Sequence, residues 1–382
     1  AVFVFGTFEN FPVRTAAQHK KYPGTDKVFT KYTYGVALME LPFFGAAYLS
    51  RMVQGFDPKV YPGNDYSVAL LVAGCFYGVL GLYFLFNALK RSFKARLPGI
   101  LIIGILLLGT NLLHYMSMAP GMAHAYLFFL ASLFVFLTPR LFEKPSYGNY
   151  LLSGLLLGLI ILIRPTDGIV AVYPLLYGIK NTGDLKARVD FLRHHFAKIA
   201  LAALPLLLVW LPQFYYWHYI TGHWVYYSYE KEGFDFLANP QILKVLFSPL
   251  NGWLLYNPVM LIPLFGIFPL LKGNRLNSVA IFAIIGISTY IFGSWWCWWF
   301  GGAYGHRSYI ELLPFLAFPL GYVVSYIFSK PTGGVKWVLI VLIVLFCYYN
   351  MRLNFLYKSE WSERYWSWQH YFTILKKVFF IS

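Results

Sequence analysis

The sequence predicts an all-α, polytopic transmembrane bundle of about 10–11 membrane helices with extracytoplasmic loop helices. Three observations carry that expectation. Of 382 residues, 59% are hydrophobic and only 12% are charged. A soluble domain carries roughly 25% charged residues, so too little polar surface is left to face water. The apolar residues fall in blocks of about 15–23, the length at which a helix crosses a hydrocarbon core of about 30 Å. The blocks also lack the alternation of a membrane barrel strand. A helix meets the demand of lipid, because it pairs every backbone polar group within its own segment.

Taken in order, spans are expected at residues 67–89, 99–113, 122–138, 151–163, 169–179, 199–220, 253–271, 279–296, 310–329 and 335–349. The pair 151–163 and 169–179 is short, as in tilted or broken helices. An eleventh apolar stretch, 34–52, contains Glu40, Pro42 and several Gly and Ala. It reads better as an interfacial or re-entrant helix.

Loop charges set the orientation, since Lys and Arg concentrate on the cytoplasmic side. With Lys90, Arg91, Lys94 and Arg96 placed inside, the cytoplasmic loops also hold Arg140, Lys144, Lys180, Lys186, Arg188, Arg193, Lys198, Lys272, Arg275, Lys330 and Lys336. The opposite inter-helix loops hold only Arg164, Lys231, Lys244 and Arg307, so the bias is fifteen to four. Three regions follow: an extracytoplasmic first loop with an interfacial helix (residues 1–66), the transmembrane bundle (67–349), and an extracytoplasmic interfacial tail (350–382). The tail mixes Trp361, Tyr365, Trp366, Trp368, Tyr371 and Phe372 with Glu363, Arg364, Gln369 and His370, the composition of an aromatic belt anchor. The expected location is a bacterial cytoplasmic (inner) membrane, crossed many times, with the functional face outside.

Several functions are disfavoured. The net charge of +16 reflects cytoplasmic loops and anionic membrane lipid rather than nucleic acid. Cys75, Cys297 and Cys347 offer neither a disulfide framework nor metal spacing. There is no phosphate loop, dinucleotide fingerprint, HExxH or nucleophile elbow. No cofactor is expected, a divalent metal being left open. The small-xxx-small pairs Gly74/Gly78 and Gly154/Gly158 are explained by close helix packing.

Four unusual segments remain, all assigned to the outer face. SWWCWWFGGAYGHRSYIELLPF, from Ser294, carries a glycine-rich turn and His306–Arg307 at a helix start. A helix start plus Arg suits phosphate, although a snorkelling belt arginine fits as well. IRPTDG, from Ile163, sets Arg164 beneath an apolar run. There it needs a partner or a wet cavity, either as a clasp with Asp167 or as a substrate contact. TNLLHYMSMAPGMAHAY, from Thr110, brackets a Pro120–Gly121 turn with His114 and His124, read as hydrogen-bonded helix-end histidines or as functional ones. FTKYTYGVALMELPFF, from Phe29, supplies Lys31, Tyr32 and Glu40. Arginines, histidines and aromatic platforms together suit a lipid phosphate and a sugar ring.

At KYTYGVALMELPFF, HYMSMAPGMAHAYLFF, LIRPTDG and WWFGGAYGHRSYIELLPFL, the chain resembles the GT-C superfamily of integral-membrane glycosyltransferases. That group includes the protein mannosyltransferases and aminoarabinose transferases, and the likeness is greatest to relatives common in Bacteroidota. The resemblance implies transfer of a sugar from a polyprenyl-phosphate donor to a lipid, glycan or protein acceptor, with the active site outside. It also implies an acidic general base in the first outer loop. Here no transmembrane helix precedes that loop, and the helix and its acid are expected upstream of Ala1. Of Glu9, Asp26, Glu40, Asp57 and Asp65, the last is the best base, with helix capping as its other role. Arg307 is the expected ligand of the donor phosphate, with Tyr304 and His306 lining the same pocket and Lys31 and Tyr32 facing it. Two other classes stay open. One is a catalytically silent GT-C-like subunit of a larger membrane complex with other protein subunits. The other is a transporter or flippase of lipid-linked sugar, for which no internal repeat is found.

Overall fold

The computed structural model describes residues 19–57, 64–93, 96–329, 333–360 and 366–380. Glu9, Lys94, Lys330, Trp361, Glu363, Arg364 and Tyr365 lie outside the described residues. A two-stranded antiparallel hairpin, β1 (His19–Lys21) with β2 (Val28–Thr30), pairs Lys20 with Phe29. Among the described residues the other regular elements are helical: α1 (Gly35–Val53), α2 (Asn64–Phe93), α3 (Arg96–Gly109), α4 (Leu112–Ser117), α5 (His124–Glu143) and α6 (Tyr147–Ile163). A 3-10 turn (Pro165–Ala171) leads to α7 (Val172–Leu176), α8 (Thr182–His194) and α9 (Phe196–Thr221). Then follow α10 (Ile242–Phe247), α11 (Trp253–Tyr256), α12 (Leu261–Leu271) and α13 (Ser278–Ser294). Short 3-10 turns at Pro258–Met260 and Arg275–Asn277 precede α12 and α13, a further one (Arg307–Leu312) opens α14 (Leu313–Ser329), and α15 (Gly334–Glu360) and α16 (Trp368–Phe379) complete the order.

Among the described residues, seven helices are long and apolar enough to cross a membrane, and three shorter apolar ones accompany them (Leu97–Gly109, Tyr147–Ile163 and Pro258–Leu271). The chain is therefore an all-α polytopic membrane bundle, with three differences from the expected spans, the first being that 253–271 is split at Asn257–Pro258 into α11, a 3-10 turn (Pro258–Met260) and α12. Residues 169–179 do not form one helix: the 3-10 turn gives way to the five-residue α7. Pro165 and Pro174 explain this, since proline lacks the N–H that a continuous helix needs. Conversely, 34–52 forms the unbroken 19-residue α1, which passes the length and hydropathy test for a span with Pro42 inside it. The boundaries set at 66/67 and 349/350 fall inside α2 and α15.

The helices sort into a centre and a rim. The apolar stretches of α5 and of the Arg307–Ser329 segment are 72% and 67% buried, whereas those of α1, α9 and α15 are 6%, 6% and 11% buried. Outward apolar faces of that size are stable against lipid rather than water. Small residues set the close approaches. A Cβ on Gly154 would lie 1.9 Å from the Ala202 carbonyl oxygen, and one on Gly158 would lie 2.8 Å from Leu206 Cα, so α6 packs directly on α9. Gly74 and Gly78 instead make room for Pro120 and Met116, seating the α4–α5 turn against α2. The helix α16 turns Tyr371, Ile374 and Val378 inward and leaves Trp368, Phe372 and Phe379 exposed.

Candidate functional site

Three separate segments deliver ionisable side chains to one end of the bundle. The first is the break after α6. A residue before proline is pushed out of the helical region, and Arg164 adopts φ −151° and ψ 104°. Its side chain leaves the helix towards the 3-10 turn at Arg307–Leu312. The second is the glycine-rich loop, where Phe300, Gly301 and Gly305 all have positive φ. Gly305 (φ +62°) sits where a Cβ would come 3.1 Å from Tyr256 Cβ and 3.2 Å from Asn257 Nδ2, so a bare backbone is needed to turn the chain into His306 and Arg307. The third is the start of α5 at His124. Its approach is pinned by the Tyr126 hydroxyl, which lies 2.9 Å from the Pro120 carbonyl oxygen and 3.0 Å from Glu40 Oε1.

Glu311 joins these segments. Arg164 Nη1 donates to its Oε1, and His124 Nδ1 lies 3.1 Å from its Oε2. The second Arg164 amino group donates to Ser308 Oγ at 2.6 Å. Phe292 and Phe300 flank the guanidinium, their ring centres 5.6 and 5.1 Å from Arg164 Cζ. Glu311 is 1% exposed and His124 5%; a buried carboxylate persists when paired with a guanidinium and hydrogen-bonded in this way. Arg307 is different. It is half-buried, and among the described residues its side chain forms no ion pair with a carboxylate, donating instead from Nη1 to Met122 Sδ at 3.7 Å.

The clasp expected between Arg164 and Asp167 does not form. Asp167 donates its backbone N–H to the Arg164 carbonyl at 3.0 Å, but its Oδ2 is sealed without a hydrogen-bond partner. Burial, and next the Glu311 carboxylate, hold its carboxyl well above the usual range, which disfavours the charged form. The geometric reason is the extended Arg164 backbone, which turns the guanidinium to a residue 147 positions away instead of three.

The other predicted residues divide. His306 is fully buried, its Nε2 3.0 Å from the Trp298 carbonyl and its Nδ1 sealed and unpartnered. Burial pushes its pKa down to about 3. Tyr304 does not share a pocket with it: it is 1% exposed, packs with Tyr256, Tyr349 and Tyr371, and donates its hydroxyl to the Asn350 carbonyl. His114 turns to Asn354 Oδ1 on α15 at 2.7 Å, away from His124's partner. Lys31 pairs with Glu232 and lies 4.8 Å from the Tyr229 ring centre; burial pushes that tyrosine up to about 12. Tyr32 is 46% exposed and meets Tyr229 edge-on. Asp65 is at the surface, bound to Arg51 at 2.9 Å.

Sequence reasoning passed over two acids that organise these groups. Glu232 holds Lys31 and accepts from Trp296 Nε1 at 3.1 Å, tying the first loop to the tryptophan loop. Glu311 is the hub, and a lone acid in the apolar run YIELLPF was its available signal. No group of three or more potential metal ligands occurs among the described residues. A cavity of about 280 Å³ touching Arg91, Glu143 and Asn277 lies at the far end of α5 from His124, about 30 Å along a helix of that length. The His124–Glu311–Arg164 cluster can hold charge in a fixed geometry, while Arg307 can accept an anion beside it. Compared with known proteins, the chain matches no protein-family model and no curated protein.

Proposed function

We propose that this chain is a GT-C-like glycosyltransferase. In this reading it moves a sugar from a polyprenyl-phosphate donor to a lipid, glycan or protein acceptor at the outer face of a bacterial cytoplasmic membrane. The supporting observation is Arg307: a half-buried guanidinium with no carboxylate partner among the described residues, next to a cluster whose other arginine is fully engaged. Such a group suits a phosphate, whose oxygens match its donors. Its placement agrees with the loop-charge orientation, because His124 begins α5 whereas Arg140 and Lys144 lie at its other end.

Arg307→Ala tests the reading with purified protein and polyprenyl-phosphate-linked sugars. Transfer is expected to fall by about 100- to 1,000-fold in a protein that remains folded, and full activity would remove Arg307 from the site. A second reading, a silent subunit of a membrane complex, draws on the engagement of Asp65 by Arg51 and of Glu311 by Arg164. Stoichiometric copurifying partners without bound lipid donor would favour it.

A further inference from the structure

We infer that His124, oriented by Glu311, is the general base that removes the acceptor's hydroxyl proton; the inference rests on the glycosyl-transfer reading above. Glu311 Oε1 accepts from Arg164, and a carboxylate held ionised by that guanidinium leaves Oε2, 3.1 Å from His124 Nδ1, to accept from the ring. The ring proton therefore sits on Nδ1, and Nε2 carries the lone pair. Among the described residues no protein group hydrogen-bonds Nε2. The sealed, unpartnered atoms include His306 Nδ1 and Asp167 Oδ2 but not His124 Nε2. The Tyr115 ring, 5.0 Å away and nearly perpendicular, fixes the imidazole plane.

The anion site is adjacent in sequence and space. Met122, two residues before His124, touches Arg307, and the charges of Arg307 and Arg164 both act on the imidazole. The described first-loop acids are engaged elsewhere. Asp26 is bound by Lys21 and Asp65 by Arg51, while Glu40 accepts from Tyr126, and Asp57 is not free either.

In the step itself, the acceptor O–H proton passes to His124 Nε2, and the acceptor oxygen bonds to the anomeric carbon. The bond from that carbon to the phosphate oxygen breaks, and its electron pair leaves on the phosphate, where Arg307 takes up the charge. Glu311 stabilises the imidazolium, which then returns its proton to solvent. A single displacement of this kind inverts the anomeric configuration. Glu311 is a positioning residue. The groups facing His124 that can shape its titration are Glu311, Arg307, Arg164, His306 and Tyr115.

The test uses the full chain in lipid nanodiscs with undecaprenyl phosphate linked to radiolabelled glucose, mannose or aminoarabinose. It follows sugar release and transfer against pH, and donor binding separately. His124→Asn keeps a donor for Glu311 but lacks the Nε2 lone pair, with His124→Gln as a second variant should the first misfold. Turnover is expected to fall by about 100-fold or more, the acid limb of the pH–rate profile to vanish, and donor binding and KM to stay unchanged. Glu311→Gln should shift that limb, and Glu311→Asp should restore part of it. Wild-type turnover and profile in His124→Asn while Arg307→Ala is inactive would overturn this inference and leave the proposed function standing. So would an acid limb that disappears in Glu40→Gln instead. A wild-type chain that neither binds nor turns over these donors would overturn both.

Discussion

Two buried polar regions lie side by side at one end of the bundle, and they are built on opposite terms. One is a neutral lattice of asparagines and tyrosines. Asn257 Oδ1 accepts the Asn111 N–H at 2.7 Å and the Asn350 side chain at 3.3 Å, Asn350 also donates to the Tyr256 carbonyl at 2.8 Å, and Asn111 donates to the Tyr304 carbonyl at 3.0 Å. None of these side chains is among the sealed, unpartnered atoms of the described residues. The other is the ionic cluster around Glu311. There Asp167 Oδ2 and His306 Nδ1 are sealed without partners, and Arg307 forms no ion pair with a carboxylate among the described residues. A satisfied network rigidifies the fold. Leftover hydrogen-bonding capacity costs free energy and persists where it serves a site. Tyr115 joins the two, since its backbone-facing hydroxyl accepts the Tyr304 N–H at 3.1 Å while its ring meets His124. The lattice is thus the frame on which the ionic cluster is held.

The largest expected effect comes from breaking the ionic hub. Glu311→Ala leaves Arg164 buried without its carboxylate, and loss of one partner of a buried pair costs about 3–5 kcal/mol. Thermal unfolding in detergent would read this as a large drop in melting temperature, and an unchanged melt would show the pair to be incidental. Within the lattice, Asn257→Ala should cost about 1–3 kcal/mol through unpaired buried groups, yet leave donor binding per folded molecule unaltered. Loss of donor binding without loss of stability would merge the two regions into one.

A pH scan separates them further. The His306 ring is held neutral down to about 3, whereas in the unfolded chain it binds a proton near pH 6.5. The unfolded state therefore binds more protons between those values, and stability falls as pH drops below about 6.5, by ~1.4 kcal/mol per pH unit from this ring. His306→Gln should show a shallower acid slope. The smallest effect is expected at Asp65, which belongs to neither region. Its partly exposed pair with Arg51 contributes less than about 1 kcal/mol, so Asp65→Asn should melt and turn over close to wild type. A large loss of turnover would restore Asp65 as the base.

Much of the architecture was legible because run length and polarity are local properties, and lipid makes them decisive. The reading weakened where proline divides an apolar run, as at Pro165, Pro174 and Pro258, since composition does not say whether a run bends or stops. That Arg164, His124 and the HRSYIE stretch belong at one end of the bundle was also legible, and they meet there. The choice of partner was not. Asp167 is three residues from Arg164 in sequence, but the backbone at the break decides where the guanidinium points, and Glu311 is brought there by packing. For the same reason Tyr304, written beside His306 in one motif, belongs instead to the neutral lattice. A turn at Gly305 separates their surroundings.

On the proposed reading, Arg307 is an anion site beside a self-paired cluster. The most direct test is binding of undecaprenyl phosphate, measured by native mass spectrometry, to the wild-type chain, Arg307→Ala and Asn257→Ala. Bound lipid phosphate is expected on the wild type and on Asn257→Ala, with at least tenfold weaker binding to Arg307→Ala and all three folded. Equal binding by Arg307→Ala and the wild type would contradict it.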